Sequence, residues 1–236
     1  MGDFAQSVQT AFDLLRDADP ALRRIVSLTL AVSGSACLIG ALIGMATGAW
    51  LAVTSFPGRH VLVAALNTLL ALPSVVVGLV VYLLLSRSGP LGSWGLLFTP
   101  AAMVMAQTVL VLPVVTALTR QLVADGLREG ADPLRSMGAR PFTAAALMLL
   151  HERWSLLTVL LTAFGRAVSE VGAVMIVGGN IDGLTRVITT AIALETSKGD
   201  LPLALALGLV LIGVVALINA AIALAQRTRS PLASTP

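Results

Sequence analysis

Charge is what this chain has least of. Its 236 residues include only 15 Lys and Arg and 12 Asp and Glu, so 11% are charged, against roughly 25% in a soluble domain. With 57% hydrophobic residues and a mean hydropathy of +0.94, polar surface is too scarce to coat a globule, so apolar side chains must face lipid. An ordinary soluble domain is excluded, and one membrane domain counted in spanning helices is expected. Lysine is nearly absent: Lys198 stands alone and is followed by Gly199, whereas a phosphate loop needs Gly-Lys-Ser/Thr, so the chain is not itself an ATPase. His60 and His151 are far apart, and "HERW" replaces the H-E-x-x-H of a zinc helix, so no metal site is expected. The single cysteine, Cys37, rules out a disulfide framework. A net charge of +3 with no basic run interleaved with aromatics argues against a nucleic-acid partner.

Long apolar runs are what the chain does have. Five suffice to cross a hydrocarbon core, which takes roughly 20 helical residues: Ile25 to Ala52, Val61 to Leu85, Leu96 to Leu118, Leu156 to Val177 and Leu201 to Ala225. The expected layout is an N-terminal segment 1–24, a transmembrane domain 25–225 and a short cytoplasmic tail 226–236. In the first segment Phe4, Val8, Phe12 and Leu15 fall at helical spacing, which fits either an amphipathic helix at the interface or a partly ordered end. Asp3, Asp13, Asp17 and Asp19 interrupt it, so no cleavable signal is expected. If the loop 119–155 is cytoplasmic, that side holds Arg59, Arg120, Arg128, Arg135, Arg140, Arg153, Arg227 and Arg229, and the other Arg16, Arg23, Arg24, Arg87, Arg186 and Lys198. The bias places the N-terminus outside and the C-terminus inside, although Arg23 and Arg24 oppose it.

Gly40, Gly44 and Gly48 line one face of the first span and predict close approach of another helix. Pro73 and Pro113 lie within the second and third spans and predict kinks whose freed carbonyls need partners. In the loop, "EGADPLRSMGARPF" at 129–142 offers Asp132 as an N-cap, Pro133 as a first helical residue and Gly138 as a left-handed stop. The reading is a very short helix, Pro133 to Met137, held crosswise, with Pro141 opening the helix that runs into span four. Alone it is marginal, so something must pack on it.

Span four carries the exceptional charges, Arg166 and Glu170. Four residues apart, they share one helical face, and a charge at mid-bilayer costs about 2.5 to 3.5 kcal/mol on insertion scales unless paired or hydrated. Two readings stay open: a self-neutralising pair that fixes register, or a gate in which Arg166 supplies positive potential to an anion path and Glu170 restrains it. Ser169 has no histidine or lysine in its span to act as a base, which disfavours a nucleophile.

These stretches carry a resemblance. Loop 119–155 is similar to the cytoplasmic loop of the membrane subunits of ATP-binding-cassette importers, which reads E-A-A, three residues, Gly, nine residues, I-x-L-P. With the glycine at Gly138, "DPL" 132–134 stands for E-A-A and "MLLH" 148–151 for I-x-L-P; Asp132 keeps the acid and Gly138–Ala139 the "GA", while His151 replaces the proline. "GRAVSEVGA" at 165–173 resembles the "R-A-L-G-E-F-G-A" of the molybdate, sulfate and tungstate branch, matching at Arg166, Ala167, Glu170, Gly172 and Ala173. The run 176–200 looks most like tungstate-type permeases.

The resemblance implies an all-α, polytopic bundle of about five transmembrane helices forming a homodimer with the pore at the two-fold interface. It implies a loop gripped by a separate ATPase, present in two copies, through Glu129, Asp132, Pro133, Leu134, Arg135, Met137, Gly138, Ala139 and Arg140. A translocation path or gate would involve Arg166, Ser169, Glu170, Gly172, Gly178, Gly179 and Asn180, with an outer gate loop at 178–200. In that loop Val187, Ile188, Ala191 and Leu194 fall at helical spacing, so it reads as a helix dipping into the outer mouth. An external oxyanion-binding protein would deliver the cargo, lipid would surround the bundle, and no cofactor is expected in this chain, ATP and Mg²⁺ belonging to the ATPase. The expected function is an oxyanion importer permease with tungstate as the expected cargo and molybdate or sulfate as alternatives. The rival readings are a stand-alone secondary transporter or channel, and an integral-membrane enzyme, which lacks its acid, base and metal set.

Overall fold

The structure, a computed structural model, describes residues 2–16, 19–136 and 138–227, with the side chains of 2–6, 14, 15, 129, 131–136 and 225–227 left aside. The described residues are helical throughout their regular structure, with no strand among them. The helices are α1 (Gly2–Arg16), α2 (Pro20–Val53), α3 (Arg59–Leu70), α4 (Ser74–Leu85), α5 (Pro100–Ser136), α6 (Pro141–His151), α7 (Arg153–Val168), α8 (Gly172–Gly178), α9 (Ile188–Lys198) and α10 (Leu201–Arg227). Among the described residues three are long and apolar enough to cross a bilayer, within Pro20–Val53, Pro100–Arg128 and Leu201–Leu224. The bent pairs α3–α4, at 102°, and α6–α7, at 77°, bring the number to five if each is one crossing. This is the expected all-α polytopic bundle.

Two compact units divide the chain, Leu30–Gly179 and the described part of Met1–Thr29 with Asn180–Pro236. In the larger unit α2 lies against α5 along the predicted glycine face. A Cβ on Gly40 would stand 2.8 Å from Val111 Cγ1, one on Gly44 2.8 Å from Val115 Cβ, and one on Gly48 2.6 Å from the Thr116 carbonyl oxygen. Only hydrogen fits at all three, so the small-residue stripe is a packing device. Cys37, Val111, Val115, Val159, Ala163 and Ala167 form the buried cluster that adds α7 to this pair. Ala49, Val123 and Ala145 form another, with Met148 packed on it, which seats α6.

The kink expected at Pro73 is a full break, bent by 102°, and two other expectations about helix continuity are corrected. The run Val61 to Leu85 is two helices, because Pro73 stands extended at φ −62°, ψ 125° ahead of α4 and a proline disfavours helical geometry in the residue before it. The run Leu156 to Val177 is likewise interrupted between α7 and α8, and Pro141 opens a helix that stops at His151 rather than running into span four. Pro113, by contrast, lies within an unbroken α5.

The separate crosswise helix Pro133 to Met137 does not form either: α5 continues through Asp132 and Pro133 to Ser136, so Asp132 is not an N-cap. Nucleating a new short helix is unfavourable, whereas extending a long one fixes one residue per step. At Pro133 that continuation gives up the bond to the carbonyl four residues back. Met137 lies outside the described residues, as do the side chains of Glu129, Asp132, Pro133, Leu134 and Arg135. Gly138 does adopt the expected left-handed conformation, at φ +70°.

In the smaller unit Asp19 caps α2, its Oδ1 accepting the N–H of Ala21 at 2.6 Å and of Leu22 at 3.2 Å. The expected helix of the outer stretch is α9, with Val187, Ile188 and Ala191 buried, the last two in a cluster with Leu22, Leu207 and Val210. The Ile188 N–H donates to the Thr29 Oγ1 at 3.0 Å. The N-terminal segment is a helix, and its Val8, Ala11 and Phe12 face Leu209, Val210, Gly213, Val214 and Leu217 of α10 across an apolar cleft of about 350 Å³. Its contact is therefore with the middle of a spanning helix.

Candidate translocation gate and docking loop

The gate candidate is built on the interruption of the charged span. Helix α7 ends at Val168 because its last turn tightens: the Ser169 N–H donates to the Gly165 carbonyl at 3.2 Å and the Glu170 N–H to the Ala167 carbonyl at 3.2 Å. The Ser169 hydroxyl, exposed, donates to the Arg166 carbonyl at 3.3 Å. The chain then turns through Val171 into α8. Glu170 is 6% exposed, and its Oε1 accepts the N–H of Ala173 at 3.0 Å. A carboxylate at the start of a helix satisfies one of the orphan donors there and meets the positive end of the helix dipole.

This geometry corrects the shared helical face expected of Arg166 and Glu170 and favours the second of the two open readings over a self-neutralising pair. The helical register that would align them ends at Val168, leaving Arg166 exposed on α7 and Glu170 buried in the break. Glu170 serves the backbone of α8, and Arg166 presents a cation outward from an apolar span, where it requires water or another chain.

Helix α4 closes the break from another side. A Cβ on Gly172 would lie 2.8 Å from Val75 Cγ2 and 3.1 Å from Ser74 Oγ, and one on Gly78 would lie 2.6 Å from the Ala173 Cα. The starts of α4 and α8 thus meet backbone to backbone, and both belong to interrupted apolar runs. At the far end of α8 the Phe98 N–H donates to the Val177 carbonyl at 3.0 Å. Gly178 is the last residue of α8, followed by Gly179 at φ +71° and Asn180 at φ +51°. Those left-handed conformations are the turns expected from the glycine-rich sequence.

Sequence reasoning missed Gln107. It is 3% exposed on α5, and its Nε2 donates to the Ala167 carbonyl at 2.8 Å, beside the break. A lone glutamine in an otherwise apolar run was the available signal. Ser74, one residue after the proline break, was the other.

In the candidate docking loop, Gly138 and Arg140 are exposed and Ala139 is half-buried. Arg140 is extended at φ −69°, ψ 153° and precedes Pro141 at the start of α6. Met148 of α6 holds that helix to α5, its Sδ 3.1 Å from where a Cβ on Gly126 would be. The loop is therefore displayed from the end of one long helix and the start of a firmly seated one.

An apolar bundle with broken helices, a buried carboxylate capping one of them, an outward-facing guanidinium and an exposed loop at one end of its longest helix defines a membrane transport subunit. No protein-family model matches the chain. It is 42% identical to the tungstate uptake system permease protein TupB of Peptoclostridium acidaminophilum over 92% of this chain and 96% of that protein. It is 41% identical to a probable anion ABC transporter permease protein of Haloferax volcanii over 83% and 87%, and 32% identical to the sulfate transport system permease protein CysW of Escherichia coli over 71% and 60%. The chain belongs to the family of permease subunits of ABC importers, integral membrane proteins that act with an ATPase and a substrate-binding partner.

Proposed function

We propose that this chain is the permease of a tungstate importer, with molybdate and sulfate as the related oxyanions its relatives point to. The observation that carries the cargo is the 42% identity to a tungstate uptake permease over nearly the whole of both chains, against 32% for a sulfate permease over a smaller part. Two copies form the pore at a two-fold axis, embedded in lipid. The arginine distribution supports an N-terminus outside and a 119–155 loop inside. There the ATPase, which carries the ATP and Mg²⁺, grips the end of α5 and the turn at Gly138 to Arg140, and the external binding protein docks near the 178–200 loop. The chain itself catalyses no reaction.

In this reading the motor's stroke reaches the break between α7 and α8 through α5. Arg166 lends positive potential to the anion path, with Ser169 beside it. Glu170, buried and engaged with the start of α8, shapes the gate and does not touch the anion. Reconstitution tests the reading. Vesicles holding the permease, its ATPase and its binding protein import labelled tungstate only when ATP is supplied on the ATPase side, and tungstate competes better than molybdate or sulfate. Import by the permease alone, down a gradient, points instead to a stand-alone transporter.

A further inference from the structure

We propose that Gln107 is a positioning residue that ties the docking helix to the gate: its amide joins α5 to the break between α7 and α8, so motion of α5 moves the gate. Three observations carry this. First, α5 is one uninterrupted helix from Pro100 to Ser136, so Gln107 and the docking loop lie on a single rod, separated by about 40 Å at roughly 1.5 Å per residue. A rod transmits displacement along its length; the separate crosswise helix expected from sequence would have needed a second joint.

Second, Gln107 grips the hinge itself. The Ala167 carbonyl it binds at 2.8 Å also accepts the Glu170 N–H at 3.2 Å, the bond that turns the chain out of α7. A side-chain donor on that carbonyl stabilises the turned geometry in a medium without water to substitute. The amide's orientation is dictated by chemistry, since only the NH₂ end can face a carbonyl.

Third, the other end of the same amide is idle. Gln107 Oε1 is buried without a hydrogen-bond partner among the described residues. Buried polar atoms are nearly always satisfied, and one that is not fits a contact holding a different set of partners in another conformation. Of the four buried side-chain atoms left unpartnered among the described residues, Gln107 Oε1 is the one whose own amide already holds the break. The Glu170 N–H, now spent on the Ala167 carbonyl at 3.2 Å, is a donor that a rearranged break would free for Oε1.

The test uses the whole complex, since the inference rests on the permease reading. Gln107→Met keeps the volume and removes the hydrogen bond; Gln107→His keeps a ring N–H that can reach the carbonyl. In reconstituted vesicles the Met variant is expected to assemble and hydrolyse ATP, yet import about tenfold less tungstate per ATP, while the His variant keeps more than half the wild-type ratio. Equal loss of hydrolysis and import, or an unchanged ratio, overturns the proposal. A cargo-independent measurement separates its failure from that of the tungstate reading. Nucleotide should alter hydrogen exchange at residues 165–173 in the wild-type complex and leave it unaltered in Gln107→Met. The same nucleotide response in both sinks the coupling role, whatever anion is carried.

Discussion

Glu170 holds the backbone N–H of Ala173 at 3.0 Å, so this carboxylate orders the start of α8 rather than pairing with its sequence neighbour Arg166. Glu170→Gln keeps a carbonyl acceptor and loses the charge; Glu170→Ala loses both. Loss of a capping acceptor costs about 0.5 to 2 kcal/mol. The Ala variant should therefore melt at lower temperature than wild type in detergent, with the Gln variant close to wild type and importing at a rate within a few fold. If Gln melts normally but imports nothing, the negative charge and not the capping bond is what the gate needs.

The glycine face of α2 gives a second expectation. Gly48 has the Thr116 carbonyl oxygen 2.6 Å from where a Cβ would sit, and Gly44 has Val115 Cβ at 2.8 Å, whereas Gly34 has nothing within 4 Å. Backbone oxygen cannot rotate away, so Gly48→Ala must push α2 off α5, at the roughly 1 to 3 kcal/mol typical of overpacking. Gly34→Ala should hold or slightly raise the melting temperature, since alanine is favoured over glycine by about 0.5 to 1 kcal/mol inside a helix. Thermal unfolding of the purified permease, read by intrinsic tryptophan fluorescence, checks the contrast.

Much of this fold was legible because lipid makes composition speak. The five apolar runs, the glycine face, the helix α9 and the left-handed Gly138 all follow from period, small-residue spacing and backbone preference. What was not legible is where an apolar run stops being one helix. Pro73 broke its run and Pro113 did not, although both present the same local chemistry. The difference lies in what supports the helix: around Pro113, Leu110, Val111 and Val115 are buried, while α3, before Pro73, has no buried residue. The shared face expected of Arg166 and Glu170 failed for the same reason. Four-residue spacing implies a shared face only if the helix continues, and the break is met by Gln107 at the Ala167 carbonyl and by Ser74 and Gly78 at Gly172 and Ala173, each distant in sequence.

Thr29 supplies a third test, on the other compact unit. Its Oγ1 accepts the Ile188 N–H at 3.0 Å and donates to the Ile25 carbonyl at 2.7 Å. Thr29→Val preserves shape and leaves the first N–H of α9 buried without that acceptor, a loss of about 1 to 3 kcal/mol. Hydrogen exchange at residues 188–191 should quicken by about ten-fold or more, with α10 little affected. Unchanged protection there means that α9 is held by its apolar cluster alone.

The docking loop can be tested without disturbing the bundle. Gly138 is left-handed at φ +70°, and a Cβ added there would have nothing within 4 Å, so a side chain at this position meets strain but no clash. Asp tolerates left-handed geometry better than most residues, so Gly138→Asp should cost the permease little stability. Gly199 is a matched control: left-handed at φ +84°, equally open, and at the end of α9. Both substitutions add the same charge and the same backbone strain. If the turn after α5 is the ATPase's grip, Gly138→Asp loses co-purification with the ATPase and all ATP-driven import while retaining the wild-type melting profile, and Gly199→Asp retains the complex. Normal recovery of the ATPase with Gly138→Asp would place the grip elsewhere, and would remove the route by which α5 carries force to Gln107 and the break beyond it.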